Sequence, residues 1–207
     1  GLLGPNGSGK TTTINCLLSL LSYDKGNIEV FGKKMNPDSY DLKRQIGVVM
    51  QNVAVVDELT VYENIDYFCG LYIRDKALRR QYVEDAIDFV GLNDFRKFYP
   101  KKLSGGLLRR LNIACGIAHK PKLIILDEPT VGLDPKQIIE IRDLIKSLGK
   151  KHTVILSSHI LSEVSAVCDY VMIIAKGQLV ASDTPENLSK LMLGSNTVTC
   201  TVHGTRK

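Results

Sequence analysis

The chain has 207 residues and a formal net charge of +5, with 44% hydrophobic and 24% charged residues. These values are typical of a globular chain with one large domain, or one domain with a small subdomain. The sequence has no run of about 18 apolar residues and no secretory signal, so we expect neither a membrane-spanning helix nor a secreted protein. Five cysteines lie singly without a CxxC pair, which favours a reducing compartment over a zinc or disulfide framework.

The first motif is GPNGSGKT at residues 4–11, which fits the pattern G-x-x-x-x-G-K-[ST]. Its glycines allow backbone N–H groups to surround phosphate oxygens, and the helix that follows adds its positive end. We expect Lys10 to reach the β- and γ-phosphates of a nucleotide and Thr11 to hold Mg²⁺. Only Gly1–Leu3 precede the loop as a strand end, so we expect an upstream segment. The predicted nucleotide contacts of this loop are Gly4, Pro5, Asn6, Gly7, Ser8, Gly9, Lys10, Thr11 and Thr12.

Short apolar runs alternate with helical patterns along most of the chain. The runs are continuous rather than alternating, which is typical of strands buried on both faces of a parallel sheet. They lie at 46–50, 123–127, 153–157 and 170–174. One helix is predicted by Ile14, Leu17, Leu18 and Leu21, and a second by apolar residues from Ile138 to Leu148. NIEVFGK at 27–33 predicts a short antiparallel flank, and the whole pattern predicts an α/β fold.

The middle of the chain is predicted to be helical. Three helical patterns and no confident strand lie between residues 52 and 118. We therefore predict a core ATPase domain at 1–51 and 119–193, with a helical subdomain inserted at 52–118. The tail at 194–207 contains NTVTCTVHG, a candidate for a last strand.

A second anion-binding element is predicted at KKLSGGLLRR, residues 101–110. Ser104, Gly105 and Gly106 stand directly before an apolar helical pattern, where the backbone N–H groups of a helix start can bind an anion. Arg109 and Arg110 are expected on a solvated or interfacial face of that helix.

An acidic pair ends the predicted strand LIILD at 123–127. Asp127 at such a strand end can orient a metal ion through its water shell, and Glu128 can polarise an attacking water. Asp134 and Pro135 predict the start of the next helix, as N-cap and first helical residue.

GPNGSGKTT, LSGG and LIILDEP in this order resemble the nucleotide-binding domain of the ATP-binding cassette (ABC) superfamily. The resemblance covers essentially the whole chain. It implies that Gln51 is the glutamine-loop residue near Mg²⁺ and the water, and that His159 is the switch histidine at the γ-phosphate. It also implies that Asp134 faces a partner subunit. LTVYENIDYF and GQLVASDTPENL are similar to importer and multidrug-exporter ATPases that work as separate subunits, and we favour the exporter-type branch.

The resemblance explains why one chain carries two anion-binding loops. In this family two domains pack head to tail around two ATP molecules, so Ser104, Gly105 and Gly106 would bind ATP held by the other subunit. It further implies a membrane permease partner that inserts a short helix around Val53–Tyr72. The chain would lie on the cytoplasmic face of the membrane, without contacting the cargo or nucleic acid.

Two departures from the family pattern and several alternatives remain open at this point. Leu107 stands where the family usually has glutamine, and the region that usually supplies an adenine-stacking aromatic residue is absent. A soluble cassette ATPase in cofactor assembly, or one acting on nucleic acid or ribosomes, is the alternative function. Gln51 and Ser104 are 104 − 51 = 53 positions apart, which leaves no room for the long coiled coil of DNA-repair relatives. A regulator without hydrolysis is disfavoured by the complete acidic and basic set, and homodimer and heterodimer both remain possible.

Overall fold

The computed structural model describes residues 1–193, so the candidate strand in the tail at 194–207 lies outside the described residues. The main sheet has six strands, which are β1 (Leu2–Leu3), β4 (Ile46–Val49), β5 (Leu123–Asp127), β6 (Thr153–Ser158), β7 (Val171–Ala175) and β8 (Gln178–Asp183). Their order in the sheet is β4-β5-β6-β1-β7-β8. All neighbouring strands are parallel except β7 and β8, which are antiparallel.

The strand predictions are confirmed to within one residue at each end, and the α/β fold class is confirmed with them. The predicted flank is a hairpin of two short strands, β2 (Glu29–Val30) and β3 (Lys33–Lys34). Phe31 and Gly32 form its turn with φ of 53° and 72°. Strand β8 was not predicted from the sequence. Its apolar residues Leu179 and Val180 are largely exposed in the structure, and the segment lacks the continuous apolar run by which the other strands were predicted.

The described range contains eight α-helices, of which the last, Pro185–Leu193, follows the final strand. Five of them begin with a side-chain cap on a backbone N–H group, from Thr60, Asp75, Ser104, Asp134 or Thr184. The helices are α1 (Lys10–Leu17), α2 (Tyr40–Lys43), α3 (Val61–Gly70), α4 (Lys76–Val90), α5 (Gly105–Ile117), α6 (Pro135–Gly149), α7 (Leu161–Val167) and α8 (Pro185–Leu193). No helix among residues 1–193 is both long enough and apolar enough to cross a bilayer.

The two predicted amphipathic helices differ in how well their faces were predicted. In α6 the predicted face is buried at Ile141, Ile145 and Leu148. In α1 the prediction is wrong for Leu21, which is 46% exposed. The helix ends at Leu17, and the chain turns at Ser19 with φ of 53°, so Leu21 no longer follows the helical period.

The three helices predicted between residues 52 and 118 are present as α3, α4 and α5. Their apolar faces form one core cluster that also includes Val49, Leu126 and Leu156 of the sheet. Helix α5 therefore packs on the sheet as well as on α3 and α4. The division of the chain into a core and an inserted subdomain remains a prediction.

Candidate functional site

The loop between β1 and α1 is shaped by its glycines. Gly7 and Gly9 have φ of 76° and 107°, a backbone region that L side chains rarely adopt. A Cβ on Gly4 would lie 2.2 Å from the carbonyl oxygen of Ile174. Helix α1 begins without a side-chain cap, so its first N–H groups point into the loop with no side-chain acceptor. This is the arrangement that binds phosphate at a helix start.

The side chain of Lys10 hydrogen-bonds to backbone carbonyl oxygens of the phosphate loop itself. Its ammonium is buried, and Nζ donates to the carbonyl oxygens of Gly4 at 2.7 Å and Pro5 at 3.3 Å. Nζ also lies 3.2 Å from Glu128 Oε1, within ion-pair distance. The loop lysine and the acidic strand end, 118 positions apart in sequence (128 − 10), therefore meet in one site.

Asp127 connects the phosphate loop to the sheet. Thr11 Oγ1 donates a hydrogen bond to Asp127 Oδ2 at 2.9 Å. The hydroxyl of Ser157 donates to the other carboxylate oxygen, Oδ1. Ser157 was missed by sequence reasoning, because its place beside Asp127 depends on the β5–β6 register, which the sequence does not show locally.

Glu128 lies beside Asp127 in a constrained conformation. It is only 5% exposed and has φ of 47°, which is uncommon for a residue with a Cβ. Its N–H donates to Ser157 Oγ at 3.0 Å. Glu128 Oε2 lies 2.9 Å from Nδ1 of His159. Because an ionised carboxylate only accepts hydrogen bonds, Nδ1 is assigned as the donor in this contact.

Gln51 is exposed and lines the same cleft as residues 6–12 and Glu128. Its backbone is fixed by α5: Arg109 Nη1 donates to the carbonyl oxygen of Gln51 at 2.9 Å, and Asn112 Oδ1 accepts from the N–H of Ala54 at 3.3 Å. The sequence prediction for Arg109 is wrong, since this side chain is 5% exposed and points inward. Burial lowers the pKa of the Arg109 guanidinium.

Ser104 and Asp134 lie in a second cleft. Ser104 Oγ accepts from the N–H of Leu107 at 3.4 Å at the start of α5, and Asp134 Oδ1 accepts from Gln137 at 2.9 Å at the start of α6. Gly106 lines the same cleft, where a Cβ would lie 2.9 Å from Gln137 Cγ. Among the described residues, the two clefts share no lining residue. The chain thus brings the phosphate loop, Gln51, Asp127, Glu128 and His159 together, and keeps the serine–glycine loop apart.

A mainly parallel sheet, a GxxxxGK[ST] loop between β1 and α1, and an acidic strand end beside that loop define a P-loop nucleoside triphosphatase. The ABC transporter family model matches residues 1–131, and the chain belongs to this family. The resemblance inferred from the motifs is therefore confirmed.

Similar proteins include two bacterial ATP-binding proteins and two solved structures. The linearmycin resistance ATP-binding protein LnrL of Bacillus subtilis is 37% identical over 99% of this chain and 66% of its own length. The bacitracin transport ATP-binding protein BcrA of Bacillus licheniformis is 40% identical over 92% of this chain and 62% of its own length. The chain thus spans less than two thirds of these relatives. Their names agree with the exporter-type branch.

The structural neighbours have the same fold. One is cbiO1 of Clostridium perfringens, part of the ABC transporter complex cbiONQ, with a TM-score of 0.85, 27% identity, and coverage of 91% of this chain and 78% of that chain. Another is an ATP-binding cassette dimer in a post-hydrolysis state bound to ADP and Pi, with a TM-score of 0.77, 27% identity, and coverage of 89% and 84%.

Proposed function

We propose that this chain is the ATP-binding and ATP-hydrolysing subunit of an ABC transporter. In this proposal it powers transport through a separate membrane subunit by ATP-driven head-to-tail dimerisation. The observation that carries the proposal is the meeting of Lys10, Glu128 and His159 beside the phosphate loop. Family membership supports the same reaction, in which ATP and water give ADP and phosphate.

In the proposed binding mode, the β- and γ-phosphates lie in the loop of residues 4–12. The backbone N–H groups of the loop and of the first turn of α1 donate to the phosphate oxygens. These oxygens compete with Glu128 for the ammonium of Lys10, so nucleotide binding would release the carboxylate from its present ion pair. Lys10 would then neutralise part of the charge that develops on the transferred phosphoryl group.

The residues beside the loop fit Mg²⁺. The Thr11 hydroxyl and the Asp127 carboxylate lie 2.9 Å apart and present oxygen atoms, the ligands that Mg²⁺ prefers together with substrate phosphates. Gln51, which lines the same cleft, adds an amide oxygen to this donor set. The ion would neutralise phosphate charge when bound.

Glu128 is the proposed group that polarises the attacking water. Its carboxylate lies at the mouth of the phosphate loop and is held by His159 through Oε2. With Nδ1 donating to Glu128, Nε2 is the ring atom that would meet the γ-phosphate, and a hydrogen bond to a phosphate oxygen would require a proton on Nε2 as well. The buried position of Glu128 removes competing water, which strengthens its electrostatic interaction with the water it activates.

The second cleft is proposed to bind ATP held by a partner ATPase. Ser104, Gly105 and Gly106 would offer a hydroxyl and the N–H groups at the start of α5, and Asp134 would face the same partner. The structural neighbour solved as a dimer with ADP and Pi supports this arrangement. Leu107 keeps its backbone contact with Ser104, so we expect the serine–glycine loop to function without the usual glutamine.

The membrane partner is proposed from the relatives. Similar ATP-binding proteins are named for linearmycin resistance and bacitracin transport, and cbiO1 is part of an ABC transporter complex. The proposed contact is the segment Val53–Tyr72, where Tyr67 and Leu71 are exposed. The chain would then lie on the cytoplasmic face of a membrane and leave the cargo to the permease.

The test is phosphate release by the purified protein, together with equilibrium binding of a fluorescent ATP analogue. Glu128→Gln should abolish hydrolysis and keep nucleotide binding, whereas Lys10→Ala should weaken both. Glu58→Gln, which changes an exposed carboxylate in the loop before α3, is the matched control and should behave as wild type. Phosphate release by Glu128→Gln at the wild-type rate would overturn the proposed role of Glu128. A wild-type protein that binds no ATP would overturn the proposed function.

A further inference from the structure

Glu163 is a buried carboxylate next to the proposed catalytic residues, in the first turn of α7, and it is 7% exposed. Its Oε2 accepts hydrogen bonds from Thr130 Oγ1 at 2.7 Å and from Ser158 Oγ at 2.9 Å. Both hydroxyls are buried as well. Within residues 1–193 no lysine, arginine or histidine forms an ion pair with this carboxylate. Its recorded side-chain partners are therefore two hydroxyl groups.

These two hydrogen bonds close a ring through the proposed catalytic pair. Thr130 lies two residues after Glu128, and Ser158 directly precedes His159. Glu128 Oε2 and His159 Nδ1 complete the ring at 2.9 Å. Ser158 also accepts, through its carbonyl oxygen, the N–H of Gly4 at 3.3 Å, so the ring is attached to the start of the phosphate loop.

The ring adds a side-chain connection between two segments that are otherwise held by backbone and strand contacts. Glu128 has φ of 47°, and a residue with a Cβ keeps such a conformation only when its surroundings hold it there. A hydrogen bond is stronger in a buried setting, and a buried hydroxyl that loses its acceptor is left unpaired. Glu163 Oε2 thus ties the two loops through one acceptor atom, which a glutamine amide oxygen can replace and alanine cannot.

We propose that Glu163 is a positioning residue for ATP hydrolysis. It ties the segment after Glu128 to the segment before His159, and so holds this pair in the geometry that the reaction needs. The inference rests on the proposed function, and Glu163 itself does not contact the nucleotide. A misplacement of about 1 Å in such a pair can cost on the order of 100-fold in rate without changing substrate binding.

The first test compares Glu163→Ala with Glu163→Gln. The amide oxygen of glutamine can still accept both hydroxyl hydrogen bonds, whereas alanine cannot. We expect Glu163→Ala to lower kcat about 10- to 100-fold, with the affinity for a fluorescent ATP analogue within about twofold of wild type. Glu163→Gln should recover most of the lost rate. Ser162→Ala, on the exposed side of the same helix turn, is the matched control and should match wild type.

A double-mutant cycle separates positioning from simple packing. Thr130→Val and Ser158→Ala each remove one donor to Glu163, and Thr130→Ser keeps the hydroxyl. Because both donors act through one carboxylate, the two losses in kcat should be non-additive, and Thr130→Ser should be close to wild type. These variants also serve as the test if Glu163→Ala does not fold.

An NMR measurement on the nucleotide-free protein distinguishes failure of this proposal from failure of the proposed function. In nucleotide-free protein, the ring NMR signals of His159 should shift in Glu163→Ala and stay unchanged in Ser162→Ala, whether or not the wild type hydrolyses ATP. Unchanged His159 signals with unchanged kcat would overturn the proposal. An equal loss of kcat in the alanine and glutamine variants, or a loss of nucleotide affinity that matches the loss of kcat, would also overturn it.

Discussion

The contact between α5 and the sheet depends on two glycines, and Gly47→Ala tests it. A Cβ on Gly47 would lie 2.3 Å from the carbonyl oxygen of Gly116 and 2.7 Å from Cγ of Pro121. Ordinary carbon–oxygen contacts lie near ~3.3 Å, so helix α5 would have to move by about 1 Å. Neither obstacle is a flexible side chain. The helix that carries the serine–glycine loop would therefore be pushed away from β4.

The expected loss lies at the upper end for overpacking a core, about 3 kcal/mol in the free energy of unfolding. With a urea m-value of about 2 kcal/mol/M, the unfolding midpoint should fall by about 1.5 M. The assay is urea unfolding followed by circular dichroism. Gly149→Ala is the matched control, because no atom lies within 4 Å of its Cβ position in α6. That variant should raise stability by about 0.5–1 kcal/mol through helix propensity.

A midpoint for Gly47→Ala equal to or above that of wild type would refute the reasoning. It would mean that α5 does not approach β4 as closely as the structure has it. Gly116→Ala provides a second test of the same contact, since its Cβ would lie 2.6 Å from Val49 Cγ2.

Three further predictions concern buried polar and sulfur groups. Arg109→Met removes the donor to the Gln51 carbonyl, so amide hydrogen exchange at residues 51–54 should accelerate. The free energy of unfolding should fall by only about 2 kcal/mol, because the variant no longer has to bury a charged guanidinium. Unchanged exchange would contradict this prediction. Burial lowers the pKa of His119 from 6.5 to about 4, so the unfolded state binds more protons in that window. Stability should therefore fall by up to about 3 kcal/mol from pH 6.5 to 4, and His119→Phe should flatten this slope in acid-unfolding measurements. Burial raises the pKa of Cys69 to about 11 and also raises that of Cys115. Because the thiolate is the form that reacts, iodoacetamide at pH 8 should alkylate neither thiol until urea is added, as measured by mass spectrometry.

The parts of the site that lie within one motif were predictable from sequence. The phosphate loop, the acidic strand end and the cap of α6 by Asp134 each depend on residues a few positions apart, and local backbone physics determines their form. The strands were predictable because a continuous run of apolar residues is typical of a strand in a parallel sheet that is covered on both faces.

The parts that depend on neighbouring elements were not predictable. Ser157 reaches Asp127 only because β6 adjoins β5, and the order of strands is not encoded locally. Arg109 was expected on a solvated face, but the rotation of α5 turns it inward to the carbonyl oxygen of Gln51. The ring through Glu163 joins the segment 128–130 to the segment 158–163, and nothing in the sequence shows that Thr130 and Glu163 meet.

The central claim is that ATP joins two copies through a shared site, and ATP-driven dimerisation measured by light scattering tests it most directly. Glu128→Gln is the variant to use, since it should bind ATP and Mg²⁺ without hydrolysing the nucleotide and so accumulate the closed form. The account predicts a shift from monomer to dimer on addition of ATP, and loss of that shift when Ser104→Arg is added. A protein that binds ATP but stays monomeric would contradict the homodimer form of the claim and indicate a different partner chain. A dimer that survives Ser104→Arg would contradict the shared site itself.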